Sequence, residues 1–187
     1  MSALKFYQTV GSGSRAEKQV ADILARHTQY VYKNIRIPTL YTESAETEID
    51  IIAAIDDFLL VVEVKNCRNI EGDSLCSYWK LEGNETGETY TSLSFLTQNR
   101  IHVKALKDAW RVARGDTPLV MSLIVVPNGC NIPCDLKEAG VLTVGEFEQQ
   151  LHSLAVTGKY SVKPKYGYAL DFIVDPATNR IKRKDFV

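Results

Sequence analysis

Asp50, Glu63 and Lys65 are the residues whose types and spacing point to chemistry. They lie in the stretch 47–65, TEIDIIAAIDDFLLVVEVK. Ile49 to Ile55 is apolar apart from Asp50, and Phe58 to Val64 is apolar apart from Glu63. Runs this rich in Ile, Val, Leu and Phe predict two β-strands joined by a tight turn at Asp56-Asp57. With the turn centred there, Ile55 faces Phe58 and Asp50 faces Glu63, their Cβ atoms about 4.5–5.5 Å apart on one face of the sheet. Lys65 is two residues past Glu63 and shares that face. Opposed like charges destabilise a hairpin, so something must offset them. Lys65 can do part of this. A hard divalent cation can do more, since Mg²⁺ is commonly held by one or two carboxylates plus water and phosphate oxygens. The plain alternative is a solvated carboxylate pair balanced by Lys65. Against it, both acids sit inside apolar runs, where solvated charges are not expected.

The rest of the chain bounds the function classes. Its 187 residues suit one domain, or one domain with an appendage. Hydrophobic content of 45% with 24% charged residues is ordinary for a globular protein and excludes a disordered chain. No stretch is long and apolar enough to span a membrane. The N-terminal residues MSALKFYQTVGSGSRAEK lack the apolar core of a secretory signal, so the cytoplasm is the expected location. The net charge of −1 hides an asymmetry: residues 158–187 carry seven Lys/Arg against three Asp/Glu, whereas the body before them is acidic. Such a basic stretch can attract phosphate, although a solvated charged edge looks the same. Cys67, Cys76, Cys130 and Cys134 lack the paired spacing of a zinc ribbon and read as free, small apolar residues. His27, His102 and His152 lie far apart and outside any nucleophile motif, and Gly11-Ser12-Gly13 lacks the lysine of a phosphate-binding loop.

The elements that must position the hairpin follow from periodicity. Residues 14–28 predict a helix, capped by Ser12 or Ser14, with Glu17, Val20, Ala21 and Leu24 on one face. Residues 30–38 predict a strand ending at Pro38. After Lys65, the segments 75–81 and 88–92 predict a second hairpin that extends the sheet. Residues 94–114 predict the longest helix. It has an apolar stripe through Leu96, Val103, Leu106, Trp110 and Ala113, and a basic stripe through Arg100, Lys104, Lys107, Arg111 and Arg114. A basic stripe can track a phosphate backbone or simply be a solvated helix face. The apolar run after Pro118 predicts a strand covered on both faces. Residues 130–140 read as irregular, Val141-Leu142 as a short strand, and Thr143 to Glu146 as a capping box opening a helix. The chain ends in an expected hairpin, ALDFIV-DPATN-RIKRKDFV. The order predicts an α/β fold with a mixed sheet and helices on both sides. Residues 1–156 form the main domain, and 157–187 are a basic C-terminal extension, a β-hairpin packed on it.

Asp50, followed by Glu63-Val64-Lys65 on the next strand, with a carboxylate on the first helix, resembles the PD-(D/E)xK nuclease superfamily. Gly13 to Glu17, Glu48-Ile49-Asp50, Glu63 to Asn66 with a Gly-containing turn after it, Trp79, and Gln98-Asn99 with His102 resemble the motifs of its nuclease-related domain family, NERD. The resemblance covers residues 11–125 well and 141–152 loosely. Ala16 stands where the family's second helix-opening glycine is expected, and Ser94-Phe95 where its Asn-Pro is.

The resemblance implies a restriction-endonuclease-like core and a metal-dependent nuclease, DNA being a more natural substrate than RNA. It implies that Asp50 and Glu63, with the Val64 carbonyl, bind Mg²⁺ or Mn²⁺. It implies that Lys65 orients or activates the attacking water and stabilises developing charge, that Glu17 holds a second metal or a water, and that Gln98 orients Lys65 or the phosphate. A catalytically silent nucleic-acid-binding or interaction module with the same fold is the alternative. A homodimer is compatible with either.

Overall fold

The computed structural model describes residues 13–156 and 164–181. Helix α1 (Gly13–Ala25) leads into β1 (Val31–Pro38) and the central hairpin, β2 (Glu46–Ile55) and β3 (Phe58–Val64). Then come β4 (Cys67–Glu71), β5 (Tyr78–Gly83) and β6 (Thr89–Leu93), the long helix α2 (Phe95–Arg114), and β7 (Val120–Val126). The C-terminal part holds α3 (Cys134–Glu138), β8 (Val141–Thr143), α4 (Val144–Val156), α5 (Gly167–Ile173), β9 (Val174–Asp175) and β10 (Arg180–Ile181). The architecture is mixed α/β: a seven-stranded sheet of order β8-β7-β3-β2-β1-β10-β9, and a separate three-stranded sheet β4-β5-β6.

The β2–β3 hairpin forms in the expected register, from Ile55↔Phe58 to Ile51↔Val62. Asp56 takes φ 47° in the turn, a left-handed conformation that Asp tolerates better than most residues. The hairpin is the middle of the large sheet, so both of its faces are covered. On one face Ile51, Ala53, Leu60 and Val62 pack against Val20 and Leu24 of α1 and Phe147 and Leu151 of α4. On the other, Ile52, Ala54, Leu59 and Val61 pack against Leu106, Ala109 and Trp110 of α2 and Leu170 of α5. Two covered faces explain why this hairpin is nearly continuous in apolar residues rather than alternating.

Several expectations change. The segments after Lys65 do not extend the large sheet. The outer edge of β3 is taken by β7 in parallel, and the Lys65 N–H bonds Val125 O at 3.0 Å. With that edge filled, β4, β5 and β6 pair among themselves. They bury Cys67, Ile70, Trp79 and Leu81 against Phe95 and Val126. Residues Ala169 to Ile173, expected as a strand, are helical in α5. Ala169, Leu170 and Ile173 are buried while Tyr168 and Phe172 are exposed, a spacing of three and four that only a helix satisfies. Among the described residues the terminal hairpin pairs Val174–Asp175 with Arg180–Ile181, and its expected continuation past Ile181 lies outside them. Finally, β7 is covered on both faces only at Ile124, Val125 and Val126; Met121 is 48% exposed.

The irregular stretch 130–140 contains α3. The expected capping box holds: Thr143 N–H donates to Glu146 Oε2 at 2.8 Å, and Glu146 N–H to Thr143 Oγ1 at 3.3 Å. Ser94 caps α2 through Thr97 N–H. The suggested cap Ser12 and the basic residues Lys159, Lys163 and Lys182 to Lys184 lie outside the described residues.

Candidate metal centre

The hairpin's strand register and the α2 packing decide where the site lies. Side chains alternate along a strand, so Glu63 and Lys65 fall on the face of Leu59 and Val61. That is the face against which α2 packs. Asp50 lies just past the last main-chain pair, where alternation is interrupted, since Ile49 packs in the same cluster as Ile52 and Ala54. Main-chain pairing runs to Ile51↔Val62. Beyond it the Asp50 side chain takes over: its Oδ2 accepts the Val64 N–H at 2.7 Å. Glu63 is 1% exposed. Its Oε1 lies 2.5 Å from Lys65 Nζ, and its Oε2 lies 3.1 Å from His102 Nδ1 on α2. Lys65 also stands over the Phe95 ring at 5.4 Å from the centroid.

These groups set one another's charge. Burial pushes the Asp50 carboxyl up, and the nearby Glu63 charge adds to it; Lys65 and the Val64 N–H pull the other way but leave it at about 8. Burial also acts to raise Glu63, but Lys65 and His102 outweigh it and hold Glu63 below the usual carboxylate range. For Lys65, burial favours the neutral amine, and the charges of Glu63 and Asp50 overcome it and raise its pKa. At neutral pH without a cation, the set is therefore a protonated Asp50 beside a Glu63–Lys65 ion pair.

The donors fit a hard divalent cation. Neither oxygen of buried Glu63 meets hydrogen-bond geometry with a donor, although Lys65 Nζ and His102 Nδ1 lie within ion-pair distance. Buried carboxylate oxygens are rarely left so, and a coordinated ion is one way of satisfying them. Among the described residues no three His, Cys, Asp or Glu side chains gather as a ready-made metal cage. Two carboxylates with water and phosphate oxygens are the usual Mg²⁺ arrangement.

The other expected residues are placed less directly. Glu17 is on α1, the helix that covers the opposite face. Burial raises its pKa first, and the charges of Glu48, Glu63 and Lys65 reach it. It sits in the electrostatic field of the pair rather than in a three-carboxylate cluster. Gln98 is half-buried in the first turn of α2. The α2 side chain that meets Glu63 is one turn further on, at His102.

His102 is the residue that the sequence reading set aside. Its signal was position: it shares a helix face with Asn99, Leu106 and Ala109, all buried. Asn99, 3% exposed, donates from Nδ2 to Leu123 O at 3.1 Å, and its Oδ1 has no partner. A cavity of about 290 Å³ adjoins Asn99, bounded also by Leu96, Arg100, Ser122 and Ile124. Ile124 is the register neighbour of Glu63.

A mixed α/β fold with a seven-stranded sheet, a second small sheet and flanking helices, its central hairpin carrying buried Glu63 with half-buried Asp50 and Lys65 beside it, is that of a nuclease-like core. A model of the nuclease-related domain, NERD, matches residues 12–127, and the chain belongs to that family. Comparison with curated proteins and with solved structures yields no significant match. No helix among the described residues is long and apolar enough to cross a membrane.

Proposed function

We propose that this protein is a metal-dependent phosphodiester hydrolase acting on nucleic acid, with DNA the favoured substrate and Mg²⁺ or Mn²⁺ the cation. The observation that carries this reading is Glu63: a carboxylate 1% exposed, both oxygens without an aligned donor, beside Asp50 and Lys65. Asp50, Glu63 and the Val64 carbonyl would hold the cation. When bound, it polarises the phosphoryl oxygens and lowers the pKa of an attacking water.

The protein's own groups do the rest. Lys65 stays an ammonium across neutral pH, so it acts as fixed positive charge where the transition state gathers negative charge, and not as a base. His102 holds Glu63 in place from α2. Glu17 would hold a second cation or a water, and Gln98 would orient Lys65 or the phosphate. Asp50 would have to be a carboxylate, its proton released, to serve as a ligand of that cation.

One observation favours a second reading, a catalytically silent nucleic-acid-binding or interaction module. Lys65 Nζ already neutralises Glu63 at 2.5 Å, so the fold is electrically satisfied without metal. Cleavage assays on single- and double-stranded DNA and RNA with Mg²⁺ and Mn²⁺ separate the two. Metal-dependent cleavage lost in Asp50→Ala and Lys65→Ala supports the hydrolase. Wild-type silence on every substrate, with nucleic-acid binding unaffected by EDTA, supports the module.

A further inference from the structure

Two cysteines far apart in sequence meet beside the candidate metal centre. Cys67 opens β4, two residues after Lys65, and Cys130 lies in the loop after β7. Their sulfurs are 3.9 Å apart. The pair is asymmetric: Cys67 is fully buried and Cys130 is half-buried. The backbones on which they sit are already joined. Asn131 N–H donates to Arg68 O at 2.9 Å and Ile70 N–H to Asn131 O at 3.1 Å. Asn131 Nδ2 donates to Asn69 Oδ1 at 2.8 Å. The two sulfurs are thus presented from adjoining parallel segments, Cys67 two residues and Cys130 one residue before the Asn69↔Asn131 bridge.

We propose that Cys67 and Cys130 form a reversible dithiol–disulfide site, with Cys130 the attacking thiol, Cys67 the resolving thiol, and a small disulfide of the glutathione type the oxidising co-substrate. The half-buried sulfur is the one a small molecule can reach. The hydrogen bond from Cys67 lowers the Cys130 pKa against the opposing effect of its burial, and the same contact together with burial raises Cys67. An accessible thiol favoured as thiolate next to a buried one favoured as thiol is the arrangement that exchange chemistry uses. Cys130 Sγ also lies 3.8 Å from Asn131 O, a contact released when the thiol ionises.

The step balances. The Cys130 thiolate attacks one sulfur of the small disulfide, whose S–S bond breaks and releases one small thiolate. The Cys67 thiol then loses its proton, and its sulfur attacks Cys130 in the mixed disulfide and expels the second small thiol. Two protein thiols lose two electrons, and one small disulfide gains them. The resulting bond closes a loop that contains β4, β5, β6, α2 and β7, and therefore His102. It ties the segment leaving Lys65 to the loop leaving Val126. The inference does not depend on the hydrolase reading, because the thiols can be followed without any nucleic acid.

The test treats the full chain, fully reduced, with oxidised glutathione, then maps peptides by mass spectrometry after blocking free thiols. The expected product is a Cys67–Cys130 crosslink, with the mass of two hydrogens lost and reversed by dithiothreitol. Cys67→Ser should stop at a glutathione adduct on Cys130, and Cys130→Ser should lose the crosslink. The double variant Cys76→Ser, Cys134→Ser should keep it. The wild-type mapping alone overturns the proposal if Cys76 or Cys134 becomes oxidised while Cys67 and Cys130 remain free. A glutathione adduct that first appears on Cys67 would likewise overturn the assigned order of attack.

Discussion

His102 Nδ1 lies 3.1 Å from Glu63 Oε2, and the two side chains are 2% and 1% exposed. This contact joins α2 to the central hairpin at the only buried carboxylate among the described residues. A residue that orients a metal ligand in this way commonly controls metal affinity by 10–100-fold. His102→Ala should therefore weaken Mn²⁺ binding by about 10–100-fold, measured by isothermal titration calorimetry. Circular dichroism should show the fold retained. Unchanged affinity in a folded variant would remove His102 from the site.

Asp50 should make the metal-free protein less stable as pH rises. Its carboxyl titrates near 3.8 in the unfolded chain and at about 8 in the fold. Between those values the folded protein holds a proton that the unfolded chain has released, so stability falls across that window. Asp50→Asn keeps an acceptor for Val64 N–H and has no such dependence. In urea unfolding with EDTA the variant should match the wild type near pH 4. At pH 8 it should exceed the wild type by on the order of 5 kcal/mol. A wild type as stable as Asp50→Asn at pH 8 would contradict this.

The ion pair between Lys65 and Glu63 leads to a double-mutant test. Removing one partner of a buried pair costs about 3–5 kcal/mol because the other charge is left alone. Lys65 retains 27% exposure, so Lys65→Met should cost less, about 2 kcal/mol. Glu63→Gln added to it should recover most of that loss, because no isolated charge remains. Losses that simply add across the two sites would show that the pair contributes nothing.

The start of α4 should respond to acid. Glu146 is held at about 2 by Lys137 first, and then by the N–H and hydroxyl of Thr143. The resulting stabilisation is complete above the unfolded value of 4.5 and is lost as pH falls through about 2. Glu146→Gln should flatten this part of the acid unfolding profile. Thr143→Ala should cost about 1 kcal/mol at neutral pH by removing the cap. Both are read by thermal unfolding.

The hairpin was legible because turn position and apolar run length fix its register from Ile55↔Phe58 to Ile51↔Val62. The cap of α4 was legible for a similar reason, since the Thr143–Glu146 box acts within four residues. What failed was non-local. Whether residues 78–93 join the large sheet depends on β7, about 30 residues later, occupying the β3 edge first. The strand expected at Ala169 became helical because Leu170 and Ile173 had to reach the α2 face together. His102 was quoted within a family motif but given no role, because one polar residue in a helix carries no mark of what lies across from it. The Gly13 to Glu17 and Gln98 to His102 motifs identified the elements, but the contact with Glu63 falls to the last residue of the second motif.

The pairing of β10 with β1, Arg36 opposite Arg180, has a bearing on what can be cut from this chain. The matched segment ends at residue 127, yet Tyr166, Leu170, Ile173, Val174 and Ile181 complete the cluster around Trp110. Lys165 N–H bonds Asp56 O in the central turn at 2.7 Å. A fragment stopping at residue 127 would leave β1 an open, pairable edge and uncover an apolar face on the α2 side, both of which invite aggregation. The stretch inherited as a recognisable module and the stretch able to stand alone in solution are therefore of different lengths. Transplanting or expressing the former without the latter should yield inclusion bodies, not a nuclease-related domain.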